Sequence, residues 1–75
     1  MAFKDNLERL RRERFLTKAA LARLTGLHEV TIARLERGVT PPTMHTVRLL
    51  AEALKVDPLE LASPDEVTER EKAAA

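Results

Sequence analysis

Few residues of this 75-residue chain have types suited to bond-making chemistry. Ser63 is the only serine and cysteine is absent, so covalent catalysis has almost no nucleophile to work with. His28 and His45 each fall at a predicted helix start with no second acid or base nearby. Neither acid-base catalysis nor a two-histidine metal site is expected, and no cofactor is implied. What remains is a set of arginines, above all Arg34 and Arg37, which stand one helical turn apart and close to Glu29. A planar, permanently charged fork recognises hydrogen-bond acceptors rather than breaking bonds. The residues therefore point to a recognition module, not an enzyme.

The elements that must position those residues are helices. Only two glycines, no Trp or Tyr, and an excess of Leu, Ala, Glu and Arg favour an all-α fold. The length allows one small domain with one core. Phe3, Leu7 and Leu10 recur at helical spacing and predict a first helix from about Phe3 to Arg14, after which Leu16 anchors the connection. Thr17 is placed to cap a second helix, Lys18 to Thr25, with Leu21 and Ala22 inward and Gly26 ending it. A third helix is expected from about Glu29 to Arg37, with Ile32 and Leu35 inward and Gly38 after it. Val39-Thr40-Pro41-Pro42 is a loop, because each proline restricts the residue before it. Thr43 then caps a fourth helix running to about Lys55 through Met44, Val47, Leu50, Ala51 and Leu54. Asp57-Pro58 opens a short fifth helix through Leu61.

Residues 1–62 are thus read as the domain, and residues 63–75 as an acidic extension. Ser63 and Glu66 have capping-box spacing, which would start a sixth helix. Val67 is its only large apolar residue, so Val67 to Ala75 is expected to fray unless docked on a partner, and Ala73-Ala74-Ala75 reads as a cloning remnant. The net charge of +1 hides an asymmetry. Residues 1–48 carry ten Lys/Arg against five Asp/Glu, whereas residues 49–75 carry three against seven. The first part suits a polyanion and the second would avoid one. No apolar run approaches the ~20 residues of a membrane span, and the start lacks a signal-peptide core. A cytoplasmic protein is expected.

The steep crossing of two short helices needs a small residue at the close approach, Ala22, and a positive-φ residue in the turn, Gly26. With these in place, Leu16-Thr17-Lys18-Ala19-Ala20-Leu21-Ala22, Thr25-Gly26-Leu27, Thr31-Ile32-Ala33-Arg34-Leu35-Glu36-Arg37-Gly38 and Leu50-Ala51-Glu52-Ala53-Leu54 resemble the Cro and phage-repressor (XRE-like) helix-turn-helix family. The resemblance covers roughly Asn6 to Leu61. It implies a compact five-helix, lambda-repressor-like domain whose helix-turn-helix is formed by helices 2 and 3, with the third helix in the DNA major groove.

That resemblance implies double-stranded DNA as the partner and transcriptional regulation as the function. Glu29, Val30, Ala33, Arg34 and Arg37 would meet bases: Arg34 matches guanine O6/N7, Glu29 accepts from cytosine N4, and Val30 or Ala33 packs on a thymine methyl. Phosphate contacts would come from Arg11, Arg12, Thr17, Lys18, Thr31, Thr40 and Thr43. His28, at the N-cap of the third helix, is either a cap or a further phosphate contact. Glu36 should pair with Arg11. Three positions depart from the family pattern. Lys18 replaces a common Gln, the loop after Gly38 lacks the Lys or Arg often found there, and Phe15 replaces a common Gly. The first helix is therefore expected to end without a left-handed residue. A homodimer reading a palindromic operator is expected, with Leu59 and Leu61 of the fifth helix at the dimer surface. Restriction-modification controllers are equally small members of this family. The competing expectation is an antitoxin-like or adaptor protein that binds a partner through its acidic C-terminal part.

Overall fold

A computed structural model describes residues 2–68. Five α-helices follow one another: α1 (Phe3–Glu13), α2 (Lys18–Thr25), α3 (Glu29–Arg37), α4 (Met44–Leu54) and α5 (Pro58–Leu61), and a single 3-10 turn, Pro64–Glu66, comes after them. Each helix contributes its apolar stripe to one core. Phe3, Leu7 and Leu10 come from α1, Leu21 and Ala22 from α2, Ile32 and Leu35 from α3, and Val47, Leu50, Ala51 and Leu54 from α4, with Leu61 and Ala62 closing the base. α1 packs on α3 and α5, α2 on α3 and α4, and α4 on α5. Leucine at i, i+3 and i+4 spacing makes this burial automatic once the helices form.

Helix starts follow the predicted caps. Thr17 Oγ1 accepts from the Ala20 amide at 3.0 Å, and Thr43 Oγ1 accepts from the Thr46 amide at 3.2 Å. Asp57 Oδ1 accepts from the Leu59 amide, while the Asp57 amide donates to Glu60 Oε2, both at 2.9 Å. Helix ends are more varied than the two glycines implied. The chain turns left-handed at Gly26 (φ 79°) and Gly38 (φ 75°), but also at Phe15 (φ 55°) and Lys55 (φ 61°). The expectation that α1 ends without a left-handed residue is therefore corrected. At Phe15 the Leu16 amide donates to the Arg11 carbonyl and the Phe15 amide to the Arg12 carbonyl, the paired bonds of a Schellman motif. Lys55 and Val56 repeat those bonds to Glu52 and Ala51. In both cases the next residue, Leu16 or Val56, packs against the core, and this burial offsets the cost of a side chain at positive φ.

The segment after α5 departs most from expectation. Glu66 to Thr68 dock against the helices. Glu66 Oε1 accepts from the Ser63 amide at 3.0 Å, and Glu66 Oε2 accepts from the Phe3 amide at 2.9 Å. Ala2, at the N-cap of α1, makes no side-chain cap bond, so the cap is supplied from 63 residues away. These amides hold the Glu66 carboxyl below its ordinary value of 4.5, the Ser63 amide contributing most and the Phe3 amide next. Val67 packs against the core, and the Thr68 amide donates to the Pro42 carbonyl at 3.0 Å in an isolated parallel bridge to Thr43. Fraying from Val67 onward is thus corrected for Val67 and Thr68. Ala73-Ala74-Ala75, expected as a cloning remnant, lies outside the described residues.

Candidate nucleic-acid interface

The site is built on the joint between α2 and α3. Gly26 has nothing within 4 Å of where a Cβ would stand, so glycine is needed there for its positive φ and not for space. The Gly26 amide closes on the Ala22 carbonyl at 2.9 Å, and Thr25 Oγ1 accepts from the Leu27 amide at 3.3 Å, so both residues after the helix find partners. Ala22 and Leu21 are buried beneath the joint, and Ile32 and Leu35 lock α3 from the inside.

With its inner face fixed, α3 presents the rest of its surface outward. Glu29, Val30, Arg34 and Arg37 are exposed, and Ala33 and Thr31 sit half-buried at the edge of that face. No ion pair among the described residues involves Arg34, Arg37, Glu29, Arg23 or Lys18. An unpaired guanidinium on a rigid helix retains all its donors for a ligand. Val30 is 58 % exposed on the same face.

The predicted phosphate set divides. Lys18 opens α2, where free amides point outward, and Thr17 precedes it with its oxygen committed to the Ala20 amide. His28 takes the N-cap position of α3 by its backbone, exposed and without a side-chain cap bond. Thr40 is exposed in the loop, whereas Thr43 is half-buried, with its hydroxyl on Thr46. Arg11 must be removed from the set. Its Nε and Nη2 donate to Glu36 at 2.6 and 3.1 Å, its Nη1 donates to the Leu16 carbonyl at 2.7 Å, and only 8 % of the residue is exposed. The Glu36 hydrogen bond, strengthened by its charge, raises the Arg11 pKa, so the guanidinium keeps its charge despite its burial. Arg12 projects from α1 opposite its core stripe, paired with Glu8 at 3.0 Å and set among Asp5, Glu8, Arg9 and Glu13. Its side chain is 71 % exposed, so the pairing with Glu8 is a surface contact.

One neighbour of the site was missed. The stem of Lys4 lies against Gly38, close enough that a Cβ on the glycine would come within 2.7 Å of Lys4 Cδ. The signal was present in the spacing, because Lys4 precedes Arg11 by seven residues and so shares the flank of α1 that meets α3.

Among known proteins, the helix-turn-helix family model HTH_3 matches residues 7–61. The chain is 40 % identical over 64 residues to an uncharacterized HTH-type transcriptional regulator, y4dJ, of Sinorhizobium fredii, covering 85 % of this chain and 83 % of the relative. Its fold is similar to that of the restriction-modification controller protein C.AhdI from Aeromonas hydrophila, with a TM-score of 0.76 and 34 % identity over 79 % of this chain and 89 % of the controller. The P22 c2 repressor, solved in complex with a synthetic operator, is similar with a TM-score of 0.78 and 25 % identity, over 84 % of this chain and 96 % of the repressor.

Proposed function

The chain belongs to the helix-turn-helix family, and from that premise we propose that it is a sequence-specific, double-stranded DNA-binding transcriptional regulator rather than an enzyme. In this reading α3 lies in the major groove, where Arg34 and Arg37 read base edges beside Glu29, Val30 and Ala33, while Lys18 and the amides of the α2 N-terminus hold phosphate. One observation carries it: the arginines of α3 are exposed and unpaired on a helix whose other face is locked into the core.

The operator is palindromic and the protein binds it as a homodimer in the cytoplasm. One such module touches only a few base pairs, and pairing two modules multiplies specificity. Leu59, 68 % exposed on α5, supports a dimer surface there, but Leu61 does not, because it is fully buried in the core. Half-sites should then lie about one helical turn, roughly 34 Å, apart. The adaptor reading is weakened because Asp57, Glu60 and Glu66 are engaged in capping their own chain.

Selection of binding sites from random duplex DNA tests the proposal. Enrichment of a symmetric sequence with two half-sites is expected. Recovery of no duplex above background would refute DNA binding, and recovery of single half-sites by a monomeric protein would refute the dimer.

A further inference from the structure

We propose that Lys4 supplies, from α1, the cation that holds DNA backbone phosphate at the C-terminal end of α3. The inference rests on the DNA-binding reading and extends it to a residue outside the helix-turn-helix. The loop that leaves α3 runs Val39-Thr40-Pro41-Pro42 and contains no charge, although it stands beside the helix whose arginines face outward. The cation missing from the loop in sequence is present in space. The Lys4 stem lies across Gly38, with Cδ 2.7 Å and Cε 3.5 Å from the position a Cβ would take there. Gly38 has no side chain, so the stem lies directly over the backbone turn that opens the loop, and the ammonium at its exposed end stands 3.5 Å from Asp5 Oδ1.

The ammonium is available. Half of the Lys4 side chain is exposed, and its pairing with Asp5 at 3.5 Å is an exposed contact between sequence neighbours. Such pairs are worth little and are readily exchanged for a better anion. The placement is also braced. Glu66 binds the amide of Phe3, next to Lys4, and two residues later the Thr68 amide binds the carbonyl of Pro42. One short segment thus holds the start of α1 and the end of the loop together, keeping Lys4 in register with Gly38. Arg11 and Glu36 fix the same flank further along α1.

The test compares wild type with Lys4→Met, which keeps an unbranched stem on Gly38 but removes the charge. Affinity for the selected operator and for a random duplex is titrated between 50 and 200 mM salt, and thermal melting is recorded for both proteins. The expected result is a log-affinity against log-salt slope shallower by about 0.9 in the variant on both duplexes, which makes its loss across that range about 3.5-fold smaller than that of wild type. An unchanged slope overturns the proposal. If that is accompanied by a lower melting temperature, Lys4 serves only the negative end of the α3 dipole. Failure of wild type to bind any duplex would overturn the regulator reading as well, and so is distinct from an unchanged slope.

Discussion

Lys4 apart, the basic residues of α1 and those of the α2–α3 pair are similar in number and put to opposite use. On α1 and its end, Arg9 is paired with Glu13, Arg11 with Glu36, Arg12 with Glu8, and Arg14 donates to the Leu54 carbonyl at the end of α4. On α2 and α3, Lys18, Arg23, Arg34 and Arg37 have no ionic partner among the described residues. The charges of Arg11 and Arg14 tie helices together, and those of Arg9 and Arg12 are balanced within α1 itself. Charge held on a rigid helix without a partner is free to meet a ligand. Residue type does not separate the two classes, but neighbouring carboxylates do: α1 has acids three or four residues from its arginines, and the outer face of α3 has only Glu29 at its tip.

The largest effect expected from that division is on stability. Glu36→Ala leaves Arg11 buried without its carboxylate and should cost about 3 to 5 kcal/mol, whereas Glu52→Ala on the exposed face of α4 should cost about 1 kcal/mol or less. Urea unfolding of the two variants measures this, and equal midpoints would show that the Arg11–Glu36 pair does not hold the fold. Next in size is an effect on binding alone. Arg34→Ala should lose about 1 to 3 kcal/mol on the preferred site with little change on random duplex. Lys18→Ala should weaken both alike and flatten the salt dependence by about 1. Arg12→Ala should change neither, and a loss of affinity there would return α1's outer face to the interface.

Smaller again is a gain. Phe15 is 95 % exposed at positive φ, so Phe15→Gly removes strain while giving up almost no packing. It should stabilise the protein by about 1 kcal/mol or less, which for a domain of this size is a rise in melting temperature of about 4 to 8 °C at most. The smallest effect is a pH dependence. The folded-state pKa of Glu66 is depressed, so its contribution is fully present above 4.5 and is lost as pH falls below that value through the folded-state pKa. Stability measured from pH 6 down to pH 3 should fall less steeply for Glu66→Gln than for wild type.

Much of this was legible in the chain because it depends on local spacing. Apolar residues at i, i+3 and i+4, and Thr17, Thr43 and Asp57 ahead of them, located all five helices, and the family pattern implied the Arg11–Glu36 pair. The remainder required three dimensions. Phe15 and Lys55 adopt positive φ because the burial of Leu16 and Val56 demands it, and neither side chain signals that conformation. Leu61 resembles Leu59 in the sequence, but four residues of helix put one in the core and the other in water. Thr68 reads as tail because its partners, Pro42 and Thr43, lie far away along the chain, and Val67 because it packs on a core made by distant residues.

The bond from Phe3 to Glu66 also bears on how the molecule comes together. It closes a loop of 63 residues, and such distant contacts carry the largest entropic cost of closure. The helical core is local enough to form early, while this clasp belongs among the last contacts made. During synthesis α1 emerges first, yet its N-terminal amide waits for almost the whole domain to be made before it is capped. Exchange of that amide with solvent should therefore report the final closure of the fold separately from the collapse of its core.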